Sequence, residues 1–171
     1  MKITVLVGNP GAKSRTLALA QSLAEAIVSR LGLDDAAVQT IDLADHASEL
    51  FDWGSATVSA FNTAVAGSDL VLVASPTYKA AYTGMLKAFL DRYDTNGLAG
   101  VIAIPVMTGG SPAHMLAPDT TLRPLLVELG ASVPTRSLYV MTSQLDGMDA
   151  IFSQWLDANE RALAGALRIP A

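Results

Sequence analysis

Three short segments of this sequence combine residue types that suit an anionic, planar ligand. The first, Gly8-Asn9-Pro10-Gly11-Ala12-Lys13-Ser14-Arg15-Thr16, leads into an Ala- and Leu-rich stretch. If that stretch is helical, its free N–H groups and positive dipole end favour an anion. The Ser14 and Thr16 hydroxyls and the Arg15 charge then suit a terminal phosphate monoester. The segment is neither a Walker A loop nor a Gly-x-Gly-x-x-Gly fingerprint. The competing reading is an ordinary turn with Ser14 as N-cap. The second segment, Ser75-Pro76-Thr77-Tyr78-Lys79-Ala80-Ala81-Tyr82-Thr83-Gly84, follows an apolar run. Pro76, the local amides and Tyr78 could line a planar heteroaromatic ring, with Lys79 a cation for a second, phosphorylated ligand. Against this stands a reading in which the tyrosines cap the core and Lys79 is solvated. The third, Thr108-Gly109-Gly110-Ser111, lets bare backbone approach a ligand, and its N–H groups could stabilise negative charge developing on a reduced ring.

Other chemistries fare worse. Gly109-Gly110-Ser111-Pro112-Ala113 is one residue short of a nucleophile elbow, and Pro112 has no N–H to give an oxyanion hole. His114 lies three residues from Ser111 instead of on a separate loop. With His46 and His114 the only histidines and no cysteine, thiolate chemistry and Cys- or His-rich metal sites are excluded. Asp42, Asp45 and His46 form no recognised ligand spacing. Asp42 ends a strand where a ribose-binding acid would sit, but without the glycine fingerprint it reads as a turn residue. Trp53 and Trp155 read as packing or interface residues.

The elements that must position these segments follow from periodicity. Short apolar, β-branched runs predict strands at 3–7, 38–42, 70–74, 100–106 and 137–141. Between them helices are predicted from Ser14 to Leu31 with Gly32 as the stop, over 57–67, from Thr83 to Tyr93, from the third segment through Leu129, and from Asp149 to Leu167. Residues 43–56 read as an irregular excursion with one helical turn. Alternating strands and helices, with continuously apolar strands, predict a parallel sheet covered on both faces, an open three-layer α/β/α domain spanning 1–171. In a sheet of order 2-1-3-4-5 the three segments follow adjacent strands and converge on one cleft beyond the strands' carboxyl ends.

Together the segments resemble those of the NAD(P)H-dependent FMN reductase family, flavodoxin-like in fold, and most closely the reductase components of two-component alkanesulfonate monooxygenase systems. The resemblance runs through about residue 131. It rests on Gly8-Asn9-Pro10 with Ser14-Arg15, on the whole of 75–84 with Leu86-Lys87 and Asp91, and on Thr108-Gly109-Gly110 with Ala113-His114. It implies that Asn9, Ser14, Arg15 and Thr16 hold the FMN phosphate, that Pro76, Thr77, Tyr78 and Lys79 border the ribityl chain and isoalloxazine, and that Thr108, Gly109 and Gly110 face its pyrimidine edge. It places the nicotinamide of NADPH or NADH near Lys79, Tyr82 and His114. Hydride passes from nicotinamide to flavin, so the protein's task is orientation and charge stabilisation. Two departures stand out: Thr120 occupies a position where some sulfonate-type relatives carry a tyrosine in a helical insertion at a tetramer interface, and the tail after Leu145 is short.

The expected role is supplying reduced FMN to a partner monooxygenase. The alternatives are a reductase of quinones or azo dyes with tightly held FMN and, less favoured because Arg15 and Lys79 make the site basic, a flavodoxin-type electron carrier. Composition frames these readings. Of 171 residues 51% are hydrophobic and only 16% charged, against about 25% in typical domains, which calls for a sheet covered on both faces or for self-association as a homodimer or homotetramer. A net charge of −5 with 11 Lys and Arg argues against broad nucleic-acid binding. No run reaches a membrane span or a signal h-region, and a cytoplasmic protein is expected.

Overall fold

In a computed structural model, which describes residues 1–169, the chain forms a five-stranded parallel sheet of order β2-β1-β3-β4-β5. The strands are β1 (Lys2–Val7), β2 (Ala37–Asp42), β3 (Leu70–Pro76), β4 (Ile102–Gly109) and β5 (Leu138–Met141). Helices α1 (Arg15–Leu31) and α5 (Met148–Ala166) cover one face. The other face carries α2 (Ala56–Ala66), α3 (Gly84–Leu90) and α4 (Arg123–Glu128). The predicted architecture and strand order are those found.

The central strands are buried because both faces are covered: every residue of β3 is buried, as are Ile3–Val7 of β1. Side chains alternate between two cores. Leu70, Leu72 and Ala74 pack with Leu19, Leu23 and Ile27 of α1 and with Phe152 and Leu156 of α5. Val71 and Val73 pack with Val58, Leu86 and Phe89 on the opposite side.

Three expectations need correction. β2 is not covered on both faces: Ala37 to Thr40 are exposed and only Ile41 is buried. It is an edge strand paired with β1 alone, and its Gln39 and Thr40 suit solvent. The helix expected after the third segment is broken into a 3-10 turn (Pro112–His114), a π-helical turn (Pro118–Leu122) and the short α4. Pro112, Pro118 and Pro124 each remove a backbone donor, and each stands in the first turn of one of these pieces, the position that tolerates it. α3 ends at Leu90, shorter than the expected run to Tyr93.

The ends of α1 follow its sequence. Ser14 Oγ accepts the Leu17 amide at 3.1 Å, and Gly32 closes the helix at φ 62°, a conformation glycine adopts freely. The excursion after β2 is a 3-10 segment (Leu43–Glu49) and then an exposed loop carrying Phe51 and Trp53. Arg92 clamps that loop: its guanidinium donates to the Asp52 carbonyl at 2.9 Å and lies 5.3 Å from the Trp53 ring centroid. Trp53 is 67% exposed, whereas Trp155 is buried at 8% and donates to the Arg136 carbonyl at 3.0 Å.

Candidate active site

The first turn leaves β1 at Gly8, whose amide donates to the Ala74 carbonyl at 2.8 Å and whose Cα presses on Leu86; an added Cβ would stand 2.5 Å from the Leu86 Cβ. The Asn9 carboxamide oxygen accepts the Gly11 amide at 2.9 Å, and its nitrogen donates to Thr16 Oγ1 at 3.1 Å. The Thr16 hydroxyl is buried and lies 2.7 Å from that of Thr108 on β4. Ser14 is the N-cap, as the competing reading held, but its hydroxyl serves there as acceptor and keeps its proton free to donate.

The first turn of α1 contains no acidic residue, and Arg15 is its first helical position, exposed and without an ion pair among the described residues. A cation there opposes the helix dipole. The unfavourable arrangement becomes favourable when an anion sits between the guanidinium and the helix amides. Beside it, Asp42 at the end of β2 caps the 3-10 segment through the Ala44 amide; burial raises its pKa.

The second segment is a hairpin. Tyr78 and Ala81 exchange backbone hydrogen bonds of 2.8 and 3.1 Å, and the two residues between them, Lys79 and Ala80, have φ of 52° and 63°. Two central residues with positive φ make a type I′ turn, which normally takes Asn or Gly. The hairpin's base is locked to the first turn: the Thr83 hydroxyl donates to the Gly8 carbonyl, and the Thr83 amide donates to the buried Ser75 Oγ at 3.0 Å. The third segment joins through the Thr77 amide, which donates to the Thr108 carbonyl at 2.7 Å.

These three walls enclose a cleft of about 420 Å³ beyond the carboxyl ends of β1, β3 and β4. Asn9, Ser14, Arg15 and Thr16 line it from the first turn, Pro76, Thr77 and Tyr78 from the second, and Thr108, Gly109 and Gly110 from the third. Of the residues expected to hold the ligand only Lys79 stands outside the lining, at the hairpin tip. Tyr82 and His114 also lie outside it, Tyr82 half-buried and His114 exposed. Thr142, just past β5, joins the lining and was not expected; its only signal is its place after a strand neighbouring β4.

One atom of the cleft tests what it can hold. The Thr77 Oγ1, in a residue that lines the cleft, is buried and has no hydrogen-bond partner within the protein; the same holds for the Thr135 Oγ1 away from it. Such a group is costly unless a ligand or solvent satisfies it. With an anion-seeking helix end at one side and backbone walls at the other, the residues fit a flat, polar-edged ring system carrying a phosphate.

Fold and cleft define an open, flavodoxin-like α/β protein. Residues 1–146 match the family model described as NADPH-dependent FMN reductase; the chain belongs to that family and is an oxidoreductase working with FMN and NAD(P)H. It is 34% identical over 168 residues to the NADH-dependent FMN reductase SfnF of Pseudomonas putida, covering 95% of this chain and 89% of that one. It is also 34% identical over 150 residues to the FMN reductase (NADPH) of Escherichia coli K12, covering 85% and 75%. Among solved structures, the apo form of the NADH:FMN oxidoreductase EMOB superposes with a TM-score of 0.85 at 34% identity, over 99% of this chain and 90% of that one. An oxidoreductase from Corynebacterium diphtheriae superposes with a TM-score of 0.86 at 28% identity, over 99% and 98%.

Proposed function

We propose that the cleft is the FMN site of a reductase that takes NAD(P)H as hydride donor and passes reduced flavin to a partner monooxygenase. The observation that carries the reading is the convergence of an acid-free helix N-terminus bearing Arg15 with the orphaned Thr77 hydroxyl in one cleft. Arg15, Ser14 and the first amides of α1 hold the phosphate, with Asn9 and Thr16 setting the turn's shape. Thr77 donates to a polar atom of the ligand, Pro76 and Tyr78 border the ring, and Thr108, Gly109 and Gly110 meet its pyrimidine edge. Bound FMN supplies the hydride-accepting chemistry; the chain contributes binding, orientation and charge compensation. Lys79, Tyr82 and His114 meet the nicotinamide nucleotide.

The remaining expectations belong to the same reading: one domain over 1–171, a cytoplasmic location and a homodimer or homotetramer. Among the described residues no helix is long and apolar enough to cross a membrane. NADPH and NADH are distinguished by experiment. Anaerobic titration with each, following flavin bleaching with and without added FMN, tests the proposal. Nucleotide oxidation that requires added FMN and saturates with it is expected. A dialysis-resistant yellow protein that reduces quinones or azo dyes would instead favour a tightly bound flavin, and no nucleotide consumption in the presence of FMN would overturn the reductase reading.

A further inference from the structure

The third wall of the cleft contains two successive glycines, Gly109 as the last residue of β4 in register with Met141 and Gly110 beyond the sheet, so no side chain within it restrains the backbone past Gly109. Both ends are fixed from outside. At Thr108 the carbonyl accepts the Thr77 amide and the hydroxyl lies 2.7 Å from that of Thr16. At Ser111 the carbonyl accepts the phenolic hydroxyl of Tyr139 at 2.7 Å. Tyr139 belongs to the edge strand β5, in register with Met107, and does not line the cleft. Its ring end crosses directly against Gly109: a Cβ there would stand 1.9 Å from the phenolic oxygen and 2.7 Å from Cζ. Glycine at 109 and tyrosine at 139 are therefore one arrangement, a backbone stripped of side chain so that a phenol can pass close and hold the next carbonyl.

We propose that Tyr139 is a positioning residue for FMN, one that holds the Gly109–Gly110–Ser111 backbone in its ligand-binding conformation without touching the ligand. The inference rests on reading the cleft as the FMN site. Its physical basis is preorganisation. Backbone beyond Gly109 that is left free must be ordered at the moment of binding, and the lost entropy appears as weaker affinity; a segment already fixed at Ser111 as well as at the strand avoids that loss. The tie is a single neutral hydrogen bond, so its removal corresponds to a change of about three- to tenfold in affinity.

The test is Tyr139→Phe, which keeps the ring against Gly109 and removes only the hydroxyl. The expected result is an FMN dissociation constant, read by flavin fluorescence, raised about three- to tenfold. KM for NAD(P)H at saturating FMN should stay as in the wild type, the melting temperature should fall by no more than the few degrees that one neutral hydrogen bond is worth, and the absorption envelope of bound flavin should shift. An unchanged FMN affinity overturns the proposal. So does a fall in melting temperature with matching losses for both ligands, the pattern of general packing damage. Arg15→Ala measured in parallel separates this from the reading beneath it. FMN affinity weakened by Arg15→Ala but not by Tyr139→Phe overturns the role of Tyr139 alone. FMN affinity indifferent to Arg15→Ala overturns the site assignment and this inference with it.

Discussion

At the residue scale, Thr77 separates stability from binding. Its hydroxyl is buried and unpartnered in the ligand-free chain, so Thr77→Val removes a group that costs free energy there. The expected outcome is a melting temperature unchanged or raised without FMN, together with weaker FMN binding by fluorescence titration; equal binding by the variant would mean the hydroxyl faces no ligand. Lys79 acts on the other substrate. Lys79→Ala should raise KM for NAD(P)H several-fold in steady-state assays with little change in KM for FMN, because the side chain stands outside the cleft lining. These positions were legible because their types announce chemistry: a cation at a helix start, hydroxyls beside glycines, a lysine between tyrosines. Tyr139 and Thr142 were not legible. Their importance depends on the register of β5 against β4 and on a ring passing one glycine, which no local pattern encodes.

At the scale of elements, the hairpin from Pro76 to Thr83 holds two non-glycine residues in left-handed conformation, each at a cost of roughly 1–2 kcal/mol. Ala80→Gly relieves one of them and should stabilise the chain by about 1 kcal/mol, a rise of about 2–4 °C in melting temperature for a chain of this size. Lower stability would show that the turn is not strained. The π-helical turn offers a pH test. Burial pushes the Asp119 pKa up, but bonds from Ser137 at 2.7 Å and Arg123 at 2.8 Å outweigh it and hold the value below the ordinary one. A depressed pKa contributes stability that is present above the unfolded value near 4 and is lost as pH falls through the folded one. Asp119→Asn should therefore lower the melting temperature at pH 7, and the gap to wild type should close below about pH 4; a gap independent of pH refutes the ion pair's role. Elements whose ends carry their own signals, such as α1 between Ser14 and Gly32, were readable from sequence. The stretch after β4 was not, because its apolar periodicity continues through prolines that divide it into three short pieces.

For the whole molecule, the low charge follows first from burial within the fold. Burial of β1, β3 and β4 between two layers of helices accounts for much of the apolar content. Yet Tyr78, Met115 and Leu116 are more than half exposed on the loops that follow the adjacent strands β3 and β4, and Val127 is exposed on α4. Apolar groups left this open support self-association. Light scattering at micromolar concentration should give a dimer or tetramer, and a monomer would refute the expectation. The clamp of Arg92 on Trp53 adds an optical consequence. With one indole held in solvent and the other enclosed beneath Arg136, the chain carries two reporters of opposite character. Emission quenched by iodide belongs to Trp53 and tracks what covers the outside; emission that resists iodide belongs to Trp155 and tracks only the integrity of the core.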